Sequence, residues 1–450
     1  MKKINKLKLK NNFSLKFAGE PRLSVKRVKA IKNVGICPLS YNFLKAKLVV
    51  KKGDRIQRGD ALFFDKKNPQ VYFHSPVSGI IEEIKYGPQR RLDLIEIKQT
   101  NEKATLFNDL KLNDVDSVQF KSALLERGLW NGFIELPFYN IPEPSKNPPA
   151  IVVPLSHSEP FQPKLSTAID EYEKDIIEGI QWLKKLCPEI RLFVDADEQI
   201  NLDNISEHSM ITRVSGDFAA TSAGSVAYHL KTSVEDNNAW ICNWQHLVKI
   251  ARTLKTNEYY NETLICIGGN QTDINQHYIV TEGISFEEVF SIENQSDRVI
   301  CGGLFTGLHI FNPEYLPIGT TSINIIDNNP QTEFLSFLQP GVEKPSYSTA
   351  YLSGVISKLI PNYRTKTSTA VNGSDRDCVS CGYCELVCPV NTTPQTLLRN
   401  SKINDVEESM RIGLLDCSGC GACTYVCPSK IDLASTFIDM KNQLFKELNA

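Results

Sequence analysis

Two copies of one cysteine pattern near the C-terminus constrain this chain more than any other feature of its sequence. Each copy reads C-x2-C-x2-C-x3-C-P. The first run comprises Cys378, Cys381, Cys384 and Cys388, followed by Pro389, and the second comprises Cys417, Cys420, Cys423 and Cys427, followed by Pro428. Three cysteines at this spacing on a tight loop can face three corners of one cubic cluster, and the fourth reaches a neighbouring cluster. The two runs are therefore expected to fold against each other.

The spacing predicts two [4Fe–4S] clusters whose ligands are exchanged between the runs. Cluster 1 is expected to bind Cys378, Cys381, Cys384 and Cys427, and cluster 2 to bind Cys417, Cys420, Cys423 and Cys388. Zinc is the competing interpretation, but zinc needs only four thiolates per site and usually takes them as two separated pairs. The doubled run of four favours iron–sulfur chemistry. Two neighbouring clusters carry electrons and do not themselves make bonds, so no catalytic residue is predicted.

The other five of the thirteen cysteines are scattered singly along the chain and are not expected to bind metal. They are Cys37, Cys187, Cys242, Cys266 and Cys301. Thirteen cysteines without a secretory signal indicate a reducing compartment, where metal binding is more common than disulfide formation.

Charge and hydropathy exclude two classes of function. The 50 Lys+Arg and 52 Asp+Glu residues leave a net charge of -2, which gives no electrostatic case for nucleic acid as a partner. The apolar runs are far too short for a transmembrane helix. The first 32 residues contain eleven Lys/Arg against Glu20 alone. We expect them to form a solvated basic arm, with contact to an anionic membrane surface or a partner as the alternative.

Turn and strand signals predict an α+β multidomain chain with four parts. Residues 1–100 hold the basic arm and a barrel-sandwich hybrid (lipoyl-like) domain, indicated by paired Gly-Asp turns and an SPVSG segment. Residues 101–255 hold a Rossmann-like α/β domain, because residues 150–196 read strand, amphipathic helix, strand. Residues 256–335 are assigned to a β-grasp (SLBB-like) domain. Residues 336–450 are assigned to a helical iron–sulfur domain.

Other motifs are weak. Lys66 and Lys67 lie near the hairpin tip that carrier domains modify, but the flanking residues do not match an acceptor motif, so a structural role is expected. The seven histidines show no paired ligand spacing, and no Walker loop or GxGxxG follows a strand. The glycine-containing stretches at residues 216–224 and 302–307 are more typical of turns and packing than of phosphate binding.

The order of these domains is similar to the peripheral subunits of two membrane complexes. These are the A subunit of the sodium-pumping NADH:quinone reductase and the C subunit of the Rnf complex, both related to the flavoprotein subunit of complex I. The stretches that favour the sodium-pump family are residues 64–69, 127–130, 368–376, 393–399 and 423–430. That family usually has most of the cluster cysteines replaced, whereas this chain keeps all eight.

The resemblance implies that this chain holds neither FMN nor NADH. The Rnf and complex I relatives carry a glycine-rich strip that cradles FMN and NADH. Here the corresponding strip reads GLWNGFIELPFYNIP and places Trp130, Phe133 and Phe138 where glycines would be required. Backbone amides cannot close on a flavin phosphate past such side chains.

The resemblance further implies a peripheral subunit on the cytoplasmic face of the bacterial inner membrane. It would dock chiefly on the membrane quinone-reducing B subunit of the same complex, and any quinone contact would come from the α/β domain or its loops. The complex would couple electron transfer from NADH to quinone with Na+ export. One alternative is an Rnf-type C subunit that transfers electrons between NAD and ferredoxin. Another is a structural docking subunit whose clusters only brace the C-terminal region.

Overall fold

The computed structural model describes residues 4–449, except 11–12, 14, 31, 157–158, 291–296, 312, 329–344, 361–363 and 366–374. It also leaves out the side chains of residues 354, 355, 357 and 358. The predicted domain boundary at residue 335, His157 and most of the family-like stretch at 368–376 therefore lie outside the described residues.

The described strands are numbered in chain order. They are β1 (Ile4–Lys8), β2 (Arg22–Val28), β3 (Asn33–Ile36), β4 (Ala46–Leu48), β5 (Arg55–Ile56), β6 (Ala61–Asp65), β7 (Tyr72–His74), β8 (Gly79–Tyr86), β9 (Leu92–Gln99), β10 (Ile134–Glu135), β11 (Ile151–Pro154), β12 (Ile190–Asp195), β13 (Ile211–Ser215), β14 (Trp240–Ile241), β15 (Glu262–Gly268), β16 (Gln276–Thr281), β17 (Arg298–Cys301), β18 (Leu308–Ile310) and β19 (Ser322–Ile326).

The described α-helices are numbered in the same way. They are α1 (Ser117–Glu126), α2 (Ile169–Leu186), α3 (Asp203–His208), α4 (Ala223–His229), α5 (Trp244–Thr256), α6 (Phe286–Val289), α7 (Tyr347–Leu359), α8 (Tyr383–Val387), α9 (Pro394–Ile403), α10 (Val406–Arg411), α11 (Ala422–Val426) and α12 (Leu433–Leu448). No helix that the structure describes combines the length and apolar character of a membrane span.

The barrel-sandwich part consists of two small antiparallel sheets, with strand orders β3-β9-β8-β5 and β4-β6-β7. Their side chains meet in a buried core in which the rings of Phe63 and Phe73 stack at 4.5 Å. The two Gly-Asp turns are built alike. The Asp54 carboxylate accepts a hydrogen bond from the Lys51 amide at 2.7 Å, and the Asp60 carboxylate accepts one from the Gln57 amide at 2.8 Å. The sequence prediction of this domain is confirmed.

The α/β part is a sheet of order β1-β13-β12-β11-β14-β10, parallel except for the antiparallel β10. The predicted strand–helix–strand unit corresponds to β11, α2 and β12. Helix α2 has Asp170 and Glu171 in its first turn and Lys184 and Lys185 in its last, which complements the helix dipole. It buries one apolar face that includes Ile176, as the three-and-four spacing predicts.

The third sheet has the order β18-β17-β19-β15-β16-β2 and is mixed. Strand β15 pairs antiparallel with β16 and parallel with β19. Together with the helices of the iron–sulfur region, these sheets confirm the predicted α+β multidomain class.

The predicted solvated arm is wrong for its described part. Strand β1 adds a parallel edge strand to the α/β sheet, and β2 adds one to the third sheet. The lysines and arginines of both strands remain largely in water while the backbone pairs, which is how natural proteins protect sheet edges from aggregation. Apolar positions such as Leu7 and Val25 pack against the cores beneath. The lysine-rich N-terminal segment therefore contains two strands, β1 and β2, which pair with the α/β sheet and the third sheet.

A buried ion pair fastens α5 to the third sheet. The Lys249 ammonium lies 2.6 and 2.8 Å from the two carboxylate oxygens of Glu282, and it donates to the Tyr259 hydroxyl at 2.8 Å. The side chains of Lys249 and Glu282 are only 11% and 16% exposed. Removing one partner from such a pair leaves the other charge buried without compensation.

We therefore expect Lys249→Met to lower the free energy of unfolding by about 3 kcal/mol, because it leaves the Glu282 carboxylate without a positive partner in a site largely excluded from water. The exposed ion pair between Arg55 and Glu102 is the matched control. Arg55→Gln should cost less than about 1 kcal/mol. Urea unfolding followed by circular dichroism measures both changes, and equal effects of the two substitutions would contradict the role of Lys249.

Candidate iron–sulfur centre

The two cysteine runs fold into matching loop–helix units. In each unit a glycine in the left-handed region precedes a short helix, with φ 74° at Gly382 before α8 and φ 75° at Gly421 before α11. A side chain is strained at such a φ, so glycine allows each loop to turn directly into its helix. The helices carry the third cysteines, Cys384 and Cys423, and each ends at the fourth cysteine of its run.

The eight cysteines surround two cavities in groups of four. The outer site is a small open cavity lined by Cys378, Cys381, Cys384 and Cys427. The inner site is a second small cavity, lined by Cys388, Cys417, Cys420 and Cys423. In each site three cysteines come from one run and the fourth from the other. The linings thus group the cysteines as the spacing does, and their binding to two clusters stays a prediction.

The thiols of each site surround a space and not a single point. In the described part of the chain, no three His, Cys, Asp or Glu side chains converge as closely as the ligands of one ion do.

The exchange of the fourth cysteine follows from contacts between the two units. Helices α8 and α11 pack against each other. Hydrogen bonds also join the start of the first run to the end of the second. The Arg376 amide donates to the Ser429 carbonyl at 2.9 Å, and the Ser429 hydroxyl donates to the Asp377 carbonyl at 2.8 Å. These bonds hold Cys427 beside the loop that begins at Cys378.

The two sites differ in burial. Two cysteines of the outer site, Cys378 and Cys381, are exposed. No inner-site cysteine is exposed: Cys388 is buried and the other three are half-buried. Burial raises the pKa of the Cys420 thiol to about 12, and it also raises the pKa of Cys423. A thiol in such surroundings is stable as the thiolate only when a cation binds it.

The inner site lies against the α/β part of the chain. The Ser418 carbonyl accepts a hydrogen bond from the Tyr139 hydroxyl at 3.3 Å, and the Ser418 hydroxyl lies 3.1 Å from that of Ser225. The Nε2 atom of His229 lies 2.9 Å from the Pro389 carbonyl. His229 and Tyr139 were not singled out by the sequence, because residues so distant along the chain share no local pattern with the cysteines.

Two lysines donate hydrogen bonds to backbone carbonyls of inner-site cysteines. Lys10, just beyond β1, donates from Nζ to the Cys388 carbonyl at 3.0 Å. Lys441 of α12 donates from Nζ to the Cys417 carbonyl at 3.0 Å and lies 5.2 Å from the centroid of the Tyr139 ring. Burial lowers the pKa of Lys441 to about 8, against the opposing effect of Cys417 and Asp416.

The strip predicted to lack flavin-binding ability is tightly packed. The side chains of Trp130 and Phe133 are fully buried, and their rings pack edge-on at 5.7 Å. Trp240 packs edge-on to Trp130 at 5.4 Å, and His246 packs edge-on to Phe133 at 5.3 Å. Phe138 of the same strip packs instead against Phe445 of α12 at 5.2 Å.

In the two glycine-containing stretches, backbone amides donate hydrogen bonds to acceptors within the protein. In residues 216–224, the Asp217 carboxylate accepts the Ala220 amide at 2.9 Å. In residues 302–307, the Phe305 amide donates to the Glu159 carboxylate at 2.8 Å, and the Gly307 amide donates to the Gly303 carbonyl. These amides are satisfied within the fold, as turns and packing require.

The five scattered cysteines are buried and line neither cysteine cavity.

Three family models match the chain. The NqrA N-terminal barrel-sandwich hybrid domain matches residues 7–100, the NqrA second alpha/beta domain matches residues 115–259, and the 4Fe-4S dicluster domain matches residues 377–431. The chain belongs to the NqrA family. The first two models together span more than half of its length, and the third coincides with the region of the two cysteine sites.

Curated relatives match nearly the whole chain. The A subunit of the Na(+)-translocating NADH-quinone reductase of Histophilus somni is 28% identical over 419 residues, which are 91% of this chain and 92% of the relative. Its counterpart from Pseudomonas aeruginosa is 26% identical over 417 residues, with the same coverage of both chains. Among solved structures, an NAD+-reducing [NiFe]-hydrogenase in the H2-reduced state covers 75% of this chain and 63% of its own, with 11% identity and a TM-score of 0.37.

The difference in burial predicts an order of thiol reactivity in the metal-free, reduced chain. Iodoacetamide at pH 8 should label the exposed Cys378 and Cys381 first. Cys420 should react far more slowly, because burial raises its thiol pKa to about 12 and keeps it protonated. Its rate should rise about tenfold per pH unit between pH 7 and 9. Peptide mass spectrometry measures each rate, and equal rates at Cys378 and Cys420 would contradict the buried inner site.

Proposed function

We propose that this chain is the peripheral NqrA subunit of a Na+-translocating NADH:quinone reductase and that it holds two [4Fe–4S] clusters. The observation that supports the assignment most directly is the likeness to relatives of that name over 91% of the chain. The 4Fe-4S dicluster match over residues 377–431 supports the presence of clusters. The chain contributes to an oxidoreductase complex and is expected to have no complete active site of its own.

The cysteine groups fit the proposed clusters. Cluster 1 would bind the outer-site ligands Cys378, Cys381, Cys384 and Cys427, and cluster 2 the inner-site ligands Cys417, Cys420, Cys423 and Cys388. Each site offers four thiols, which is the ligand set of a [4Fe–4S] cluster. When bound, each cluster would supply reversible one-electron transfer. The protein positions the ligands and shields the inner-site cysteines from solvent more than Cys378 and Cys381 of the outer site.

The chain is proposed to hold neither FMN nor NADH. The packing of Trp130 and Phe133 against Trp240 and His246 supports this, because these rings occupy the space beside the strip. A Cβ atom at Gly132 would lie within about 2.1 Å of the His246 ring, so even this glycine is closed in by a side chain. NADH oxidation and flavin chemistry would then take place in partner subunits.

The partners are proposed to be the other subunits of the membrane complex, chiefly the quinone-reducing B subunit, at the cytoplasmic face of the bacterial inner membrane. The names of the relatives support a place in a NADH-quinone reductase. Contact with quinone would come through the α/β part of the chain. The net charge of -2 supports the exclusion of nucleic acid.

Pairs of cysteine substitutions test the exchanged ligands. Cys378→Ala with Cys427→Ala removes two ligands from one proposed cluster and leaves the other complete. Cys378→Ala with Cys388→Ala removes one ligand from each. We expect the first pair to retain one intact [4Fe–4S] signal after reduction and the second pair to retain none. Electron paramagnetic resonance (EPR) with iron analysis measures both.

The control is Cys187→Ala, which lies outside both sites and should leave about eight iron atoms per chain. If each cluster used the four cysteines of a single run, the outcomes would be reversed. The pair Cys378 and Cys388 would then retain one intact cluster and the pair Cys378 and Cys427 none.

Cofactor binding separates the NqrA assignment from the Rnf-type alternative. Calorimetric titration of the purified chain with FMN, and separately with NADH, should give no saturable binding. The buried rings of Trp130 and Phe133 prevent either ligand from reaching the backbone amides of the strip. Tight binding of either ligand would support an Rnf-type chain that transfers electrons between NAD and ferredoxin.

A further inference from the structure

The two cysteine sites have different electrostatic surroundings. Lys441 is only 5% exposed and Lys10 is half-buried, and both donate to carbonyls of inner-site cysteines at 3.0 Å. Among the described residues, Asp416 is a carboxylate close to this site, and it pairs with Lys231 at 2.7 Å. The charges of Asp416 and Lys231 therefore largely offset each other, and Lys10 and Lys441 add positive charge at the inner site.

Among the described residues, no cation as buried as Lys441 lies at the outer site. Lys430, between the lining residues Ser429 and Ile431, is half-buried. Arg376 donates from Nη2 to the Pro428 carbonyl at 3.1 Å, but its side chain is exposed. Asp375 and Asp377, also exposed, flank it in the sequence. Water screens such exposed charges, so their effect on the outer site is weaker than the effect of the buried Lys441 on the inner site.

Reduction adds one electron to a cluster and makes it more negative. A nearby cation stabilises the reduced form more than the oxidised form, and the effect grows as water is excluded. The net charge around a cluster, the hydrogen bonds to it and its exposure to solvent set its reduction potential. Lys10 and Lys441 act through the first of these factors, because they place positive charge beside the inner site while their hydrogen bonds go to backbone carbonyls.

We propose that Lys10 and Lys441 raise the reduction potential of the inner cluster above that of the outer cluster. This inference rests on the proposed function, because it requires both sites to hold clusters. In a chain that has received one electron, the electron would then reside at the inner cluster, next to the α/β part. The exposed outer cluster would exchange electrons with the external one-electron donor. Lys10 and Lys441 are positioning residues that tune a potential and do not react.

The test is an anaerobic dithionite titration of the full chain, followed by EPR, in which two reduction steps are expected. The Cys378→Ala, Cys427→Ala pair keeps only the inner site and identifies which step belongs to it. Lys441→Gln removes the charge but retains an amide that can donate to the Cys417 carbonyl. We expect it to lower the reduced-to-oxidised ratio of the inner cluster about tenfold at a fixed potential, a shift of about 59 mV for one electron.

Two further variants complete the design. Lys446→Gln, on the exposed side of the same helix, is the matched control and should move neither step. Lys10→Gln should lower the inner step from an independent position in the chain, and it serves as the test if Lys441→Gln does not fold. Iron content is measured for every variant.

The inference would be overturned if the inner cluster were reduced at the same potential as the outer cluster or at a lower one. It would also be overturned if both lysine variants had their full iron content but left the potential of the inner step unchanged. A wild-type chain that holds no iron would contradict the proposed clusters themselves. Iron analysis of the wild type therefore distinguishes failure of the proposed function from failure of the inference.

Discussion

The packing of α8 against α11 is the contact on which the proposed redox role depends. Each helix ends at a cysteine that lies in the site formed by the other run. Neither site is complete without the other, so the two loop–helix units must fold together. Left-handed glycines at the start of both helices make the loops short enough for this contact.

The paired units are fixed to the rest of the chain by side chains from distant segments. Phe13, close to the N-terminus, packs edge-on to Tyr425 of α11 at 5.1 Å and to Phe218 of the α/β part at 4.9 Å. Phe305, from the third sheet, stacks on Phe218 at 4.4 Å. Aromatic contacts thus join the N-terminal segment and both large sheets to the iron–sulfur region. The inner site adjoins this junction, since Gly421 of its lining lies beside Phe305, whereas Cys378 and Cys381 of the outer site are exposed.

Local sequence patterns predict the parts of this fold that depend on local physics. The cysteine spacing predicts the grouping of eight thiols into two sites, because a tight loop fixes which cysteines can face one cavity. The periodicity of α2 predicts its buried face. Strands β1 and β2 were not predicted, because edge strands rich in lysine have no apolar run. Lys10 and Lys441 were not predicted either, since they meet the inner site only after the chain has folded, from opposite ends of the sequence.

The most direct test of the central claim is the content of iron and acid-labile sulfide per chain, on protein purified anaerobically, with EPR spectra before and after dithionite. Two [4Fe–4S] clusters predict about eight of each and a signal that appears on reduction. Zinc in place of iron, or iron whose spectrum dithionite does not change, would contradict the claim that this protein transfers electrons.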